Sequence, residues 1–130
     1  AAGVVMMLAG CSDLGDPVKV DAPPVGTAGS YVNDVRPIFN THGCLTCHTS
    51  GSTTDFTGIL TSYSTFVSVP SFINPPVLIV KPGDPGNSVL YNRIENTGVY
   101  GELMPQGGPQ MPKSDRDLIR DWILQGALNN

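Results

Sequence analysis

The sequence predicts a small all-α domain in which about three main helices are joined by long, ordered loops. Apolar residues recur at spacings of three and four in separate short segments, which is typical of amphipathic helices. Between these segments the chain is rich in turn residues, with twelve prolines and fifteen glycines among 130 residues. This length favours one domain with a core of modest size. Such a fold would gain stability from a large apolar cofactor.

The first helix is predicted to begin near Tyr31 and to run into the segment HGCLTCH at 42–48. Its apolar face consists of residues three and four apart, namely Tyr31, Val32, Val35, Ile38 and Phe39. Pro37 fits such a helix only near the first turn or at a kink. Residues 49–85 lack a helical period, so we expect an ordered loop with a short helical turn within 61–67.

Two further helices are predicted in the second half of the chain. The first is capped by Asn87 or Ser88 and has Leu90 and Ile94 on its inner face. The last has a variant of the capping box, with Ser114 followed three residues later by Asp117. Its apolar stripe consists of Leu118, Ile119, Trp122 and Ile123, and Gly126 is the expected terminator.

The N-terminal region divides into two segments ahead of the domain at 31–130. Residues 1–11 are apolar and too short to span a bilayer, and they resemble the end of a signal peptide. The residues LAGC at 8–11 resemble a bacterial lipobox, which predicts Cys11 as a lipid anchor. The alternative is an uncleaved apolar anchor with an incidental cysteine. Residues 12–30 are rich in Pro, Gly, Asp and Ala and are predicted to be a flexible tether.

The segment CLTCH at 44–48 is a C-x-x-C-H motif, which is typical of c-type haem attachment. Cys44 and Cys47 would each form a thioether with one vinyl group of a single covalent haem c, and His48 would be the proximal iron ligand. A thioredoxin-like dithiol is disfavoured because a helical pattern precedes the motif. A zinc site built from these residues and His42 is disfavoured because no distant second ligand pair exists.

Two methionines are candidates for the second axial iron ligand. Met104 and Met111 both lie in the loop before the last helix, and each is followed by proline. Proline fixes the direction of the chain, which helps to hold a loop against the iron. Candidates to line the haem are Phe39, Tyr63, Phe66, Leu90 and Trp122, with ordinary core packing as the alternative for each.

The charge pattern restricts the partners. The formal net charge is −4, and the seven basic residues are scattered along the chain. Nucleic acid is therefore not an expected partner, because phosphate binding needs clustered Lys and Arg.

Five segments together resemble the class I, monohaem cytochrome c family, and in particular its bacterial membrane-attached lipoprotein branch. They are VRPIF at 35–39, CLTCH at 44–48, VKPGDPGNSVLYNRI at 80–94, MPQGG at 104–108 and WILQGA at 122–127. The resemblance, which extends over about 31–127, implies a small cytochrome c fold whose N- and C-terminal helices cross near the haem. It also implies Met104 as the distal iron ligand, because Met104 matches the M-P-x-G-G position, with Met111 as the alternative.

The expected function is one-electron transfer, by a carrier that is not itself an enzyme. It would be tethered to the periplasmic or other extracytoplasmic face of a bacterial membrane, with a redox protein or a respiratory or photosynthetic complex as partner. The alternative is a haem-based ligand-binding, sensor or peroxidase-like domain with a labile sixth ligand. A third possibility is a haem that only stabilises the fold within an assembly.

Overall fold

The computed structural model of the chain describes residues 29–49 and 56–130. Its helices are a π-helical turn at Tyr31–Val35 that continues into α1 (Arg36–Thr41), then α2 (Cys44–His48), α3 (Val89–Glu95) and α4 (Lys113–Leu124). Short 3₁₀ turns lie at Phe56–Gly58, Tyr63–Thr65 and Pro85–Asn87. In these ranges the only β-type pairing consists of two isolated bridges. The predicted all-α class is therefore confirmed.

The first helical segment begins where the sequence predicted but does not run into the cysteine motif. The Ser30 side chain caps its start by accepting a hydrogen bond from the Asn33 amide. Pro37 lies in the first turn of α1, where its missing N–H is tolerated. The helix ends at Thr41, and Gly43 then adopts a left-handed conformation with φ +68°. This turn ends α1 before the cysteine motif, so the motif forms the separate helix α2.

The loop after the motif contains the predicted helical turn, at Tyr63–Thr65. Its remainder is held to the core by backbone pairing, because the Val80 amide donates to the Phe66 carbonyl and Ser68 donates back to Val80. Leu60, Phe66, Val67, Ile79 and Val80 are all buried. The loop therefore forms one side of the hydrophobic core.

Helix α3 follows Ser88, as predicted, but the Ser88 side chain does not cap it. Ser88 is fully buried, and its hydroxyl accepts from the Lys81 amide and donates to the Asp84 carbonyl, each at 2.8 Å. It therefore joins the Pro-Gly-Asp turn to the start of α3.

Helix α4 begins at Lys113, with Pro112 at the N-cap and no side-chain cap. Ser114 thus lies inside the first turn, and the predicted capping box with Asp117 does not form. The predicted apolar stripe is partly confirmed, since Ile119, Trp122 and Ile123 are buried. Gly126 has a φ of +101° just beyond the helix end, consistent with its predicted role as terminator.

The two ends of the described chain meet at the first helical segment. The rings of Tyr31 and Trp122 stack with centroids 6.0 Å apart. The Tyr31 amide donates to the Asn130 side chain at 3.2 Å, and the Val32 amide donates to the Asn130 carbonyl at 3.0 Å. The last helix therefore packs on the first. Within the described ranges, none of the helices combines the length and apolar character that crossing a bilayer requires.

Candidate cofactor cavity

An apolar cavity of about 300 Å³ lies between α2, α3 and the loop that precedes α4. This volume is at the low end of the range of about 300–1,000 Å³ for small-molecule sites. Its walls are Phe39, Cys44, His48, Ile59, Leu60, Ser71, Phe72, Ile73, Ile79, Val89, Leu90, Arg93, Ile94, Met104, Pro105, Gln106, Met111 and Ile119. Because Phe72 and Ile73 are exposed to solvent, the cavity reaches the surface beside them.

The cysteine motif contributes two residues to one wall. Cys44 and His48 are four residues apart in α2, so they share a helix face, and both line the cavity. Cys47, one turn from Cys44, is exposed and is not among the lining residues. Both thiols are free rather than joined in a disulfide. Burial raises the pKa of the Cys44 thiol, an effect that its own backbone hydrogen bond partly offsets and the neighbouring Cys47 adds to.

The end of α2 is fixed by the following loop, because the His48 carbonyl accepts a hydrogen bond from the Leu60 amide at 2.9 Å. Leu60 is buried and also lines the cavity. The position of His48 is therefore tied to the core rather than to an isolated helical turn.

Both candidate methionines line the cavity, but their surroundings differ. Met111 is 3% exposed and belongs to the central hydrophobic cluster, whereas Met104 is half-buried and lies outside that cluster. The Met104 amide donates to the Arg93 carbonyl at 3.1 Å, and Arg116 Nε donates to the Met111 carbonyl at 3.0 Å. The methionine loop is thus anchored to α3 at one end and α4 at the other.

His42 does not join the cysteines in a metal-binding group. Its Nε2 lies 2.7 Å from Asp115 Oδ2 in α4. In the two described ranges, no three His, Cys, Asp or Glu side chains are grouped as metal ligands. The zinc alternative therefore gains no support from the geometry.

The predicted lining residues divide into two groups. Phe39 and Leu90 line the cavity. Tyr63, Phe66 and Trp122 are not among the lining residues and pack with Tyr31 in an aromatic cluster behind Phe39, whose ring contacts that of Phe66. Arg93 also lines the cavity, and no sequence pattern predicted this position. Its place in the cavity depends on the packing of α3, which the local pattern does not specify.

The donor set and the apolar lining of the cavity are of the kind that would hold a haem c. A flat apolar ring suits walls of aliphatic and aromatic side chains, and a thiol, an imidazole and a thioether face the same space.

The predicted lipid anchor at Cys11 lies outside the described residues, as does the tether up to residue 28. Comparison of the chain with family models, with curated proteins and with solved structures gives no match.

Proposed function

We propose that this chain is a monohaem c-type cytochrome that carries single electrons. The observation that carries the proposal is that Cys44 and His48 share one wall of an apolar cavity whose lining also includes Met104. Haem c supplies the reversible one-electron chemistry when it is bound. The protein holds the group, excludes water and sets its potential.

In this proposal α2 attaches the group. Cys44 and Cys47 are three residues apart on one side of the helix and both are free, so both are available to form thioethers. His48 supplies the proximal nitrogen ligand from the same helix. Cys47 is exposed and is not among the lining residues, so in this proposal its thioether would form on the solvent-facing side of α2.

Met104 is the proposed distal ligand. Met111 has a structural role that explains its burial, because it packs in the hydrophobic cluster with Ile119 and Ile94. Met104 has no such packing and is held at the cavity by its backbone bond to Arg93. A thioether ligand raises the potential and suits electron transfer.

The fold supports the proposed cytochrome c architecture. The first and last helices pack together through Tyr31 and Trp122, and the cysteine motif directly follows the first helix. We propose that the domain is tethered through Cys11 at the extracytoplasmic face of a bacterial membrane. Its partner would be a redox protein or membrane complex.

A second candidate function is ligand binding at a labile sixth position. Gln106, Gly107 and Gly108 follow the Met104-Pro105 pair and are exposed, so this part of the methionine loop lies at the surface. Carbon monoxide added to the reduced protein distinguishes the two functions, because a tightly held methionine excludes it.

The proposal is tested by producing the chain with haem-attachment machinery and measuring its intact mass after denaturation. The expected mass is that of the chain plus one haem, and a double variant Cys44→Ala/Cys47→Ala is expected to lack it. Attachment in wild type that persists in the double variant, or no haem in wild type, contradicts the proposal. Slow or absent carbon monoxide binding favours the carrier, and rapid binding favours the second function.

A further inference from the structure

The methionine loop, residues 96–112, connects α3 to α4, and one ion pair joins its two ends. Glu95 is the last residue of α3, and Arg116 lies in the first turn of α4. Arg116 Nη1 donates a hydrogen bond to Glu95 Oε2. The two side chains are 14% and 23% exposed, less than in any other Lys or Arg pair of the described ranges. Water therefore screens this pair least, and it closes the base of the loop that carries both candidate methionines.

Arg116 also holds the loop itself. Its Nε donates to the Met111 carbonyl at 3.0 Å, and the Met111 side chain is buried in the core. The same guanidinium thus bonds to the end of α3 and to the last part of the loop. The Tyr91 hydroxyl donates to Glu95 Oε1 at 3.1 Å, so both carboxylate oxygens have a partner. These additional partners hold the carboxylate and the guanidinium in one orientation.

The end of α3 holds the loop through its backbone as well. The last carbonyls of a helix lack donors within the helix, so they can accept from other segments. The Arg93 carbonyl accepts from the Met104 amide at 3.1 Å, and the Ile94 carbonyl accepts from Gln110 Nε2 at 3.0 Å. The ion pair is the next contact along the same helix end. Three neighbouring contacts therefore attach the methionine loop and the start of α4 to α3.

We infer that the Glu95–Arg116 pair sets how readily the distal methionine leaves the iron. The inference rests on the proposed function, under which Met104 is that ligand. An external ligand binds iron only in the state in which Met104 has moved away with its part of the loop. The pair stabilises the attached state, so its loss raises the population of the detached state. Neither residue lines the cavity, so both are positioning residues that act through the loop and favour the carrier over the ligand-binding function.

The test is a titration of the oxidised holoprotein with imidazole, followed by the loss of the far-red methionine–iron band. Wild type is compared with Glu95→Gln, Arg116→Gln and the double variant. Glu95→Gln keeps the shape of the side chain and removes its charge. It therefore carries the test even if Arg116→Gln yields no holoprotein.

Two control variants separate this role from a general loss of charge or stability. Arg120→Gln removes an arginine from the same helix, but Arg120 pairs with Asp117 and Asp121 rather than with the loop. Tyr63→Phe removes the hydrogen bond to the Ala127 carbonyl, which involves no residue of the loop. Both controls should bind imidazole with wild-type affinity, although Tyr63→Phe lowers the free energy of unfolding.

We expect Glu95→Gln to bind imidazole about tenfold more tightly than wild type, which corresponds to about 1.4 kcal/mol. Arg116→Gln should gain at least as much affinity, because it also loses the bond to Met111. The double variant should match Arg116→Gln, since the two substitutions remove the same interaction.

Unchanged imidazole affinity in both single variants would overturn the inference, and so would an equal gain in either control. A gain in Arg116→Gln alone would assign the effect to the Met111 bond rather than to the ion pair. A double variant that shows the sum of both single effects would also overturn the inference, because the two residues would then act independently. Wild-type protein without covalent haem or without the methionine–iron band contradicts the proposed function instead. The intact mass and the spectrum, both recorded beforehand, separate that failure from this one.

Discussion

His42 Nε2 lies 2.7 Å from Asp115 Oδ2, although the two residues are 73 positions apart in the chain. The side chains are 19% and 31% exposed, so the contact is only partly screened by water. His42 precedes α2 by two residues, and Asp115 lies in the first turn of α4. The pair therefore joins the wall that contains the cysteine motif to the helix that follows the methionine loop.

Removing this contact should weaken the fold. Asp115→Ala is expected to lower the free energy of unfolding by about 1 kcal/mol, because a partly buried hydrogen bond is lost. Urea unfolding measures the loss. Lys113→Ala is the control on the same turn, since Lys113 is 73% exposed in its pair with Asp117 and should cost about 0.5 kcal/mol or less. Equal losses in the two variants would contradict a special role for His42 and Asp115.

The two methionines should respond differently to the same substitution. Met104→Leu is expected to abolish the weak far-red methionine–iron band of the oxidised holoprotein, and Met111→Leu should retain it. Each change roughly conserves volume, so each should cost less than about 1.5 kcal/mol of stability. Visible spectra and thermal unfolding measure the two effects, and the reverse spectral pattern would assign the ligand to Met111.

Truncation of Met111 should instead reveal its core role. Met111→Ala removes most of a side chain that is 3% exposed, which typically costs about 2–5 kcal/mol. Met104→Ala in the haem-free protein should cost clearly less, because Met104 is only half-buried. Chemical unfolding compares the two variants, and a larger loss for Met104 would show that it packs in the core.

The Tyr63 hydroxyl should stabilise the C-terminal turn, because it donates to the Ala127 carbonyl at 2.6 Å. Tyr63→Phe is expected to lower stability by about 1 kcal/mol at neutral pH. Tyr100→Phe is a suitable control, since the structure gives the Tyr100 hydroxyl no hydrogen bond within the described ranges. A loss in Tyr100→Phe as large as in Tyr63→Phe would contradict this assignment.

The raised pKa of the Tyr63 hydroxyl also predicts how the free energy of unfolding changes at alkaline pH. Burial raises the pKa of Tyr63 above its ordinary value of 10.0, so the unfolded chain releases this proton first. Its contribution is therefore complete below about pH 10 and is lost as the pH rises through the folded pKa. Unfolding measured between pH 9 and 11 should show a steeper loss in wild type than in Tyr63→Phe, and identical slopes would contradict the expectation.

The two thiols should differ in reactivity in protein made without haem attachment. Cys47 is exposed, whereas Cys44 is half-buried with a raised pKa, so less of its thiolate is present at neutral pH. Iodoacetamide at pH 7.5 should modify Cys47 first, as peptide mass spectrometry would show. In the holoprotein neither cysteine should react, and modification of Cys44 before Cys47 would contradict the described geometry.

Local patterns predicted most of the helices. Two observed helical segments correspond to predicted apolar patterns, the spacing in 31–39 and the stripe of Ile119, Trp122 and Ile123. Such patterns predict helices because a helix that buries one face has apolar residues three and four positions apart. The boundaries were less predictable. Gly43 breaks the first helix and Pro112 starts the last, in each case through backbone preferences that compete with the apolar period.

The candidate site was predictable only where its residues are close in sequence. The cysteine motif lies within five residues, and both methionines were found from their Met-Pro context. The presence of Arg93 in the cavity lining could not be predicted, because it depends on the packing of α3 around the cavity. The His42–Asp115 contact likewise depends on the tertiary approach of α4, which no local pattern contains.

The central claim is tested most directly by visible absorption spectra of the purified native protein, oxidised and reduced. The account predicts a covalent c-type haem with a sharp low-spin reduced band and the far-red methionine–iron band in the oxidised form. Protein from its native host that shows no haem absorption would contradict the account and would return Cys44 and Cys47 to thiol or metal chemistry.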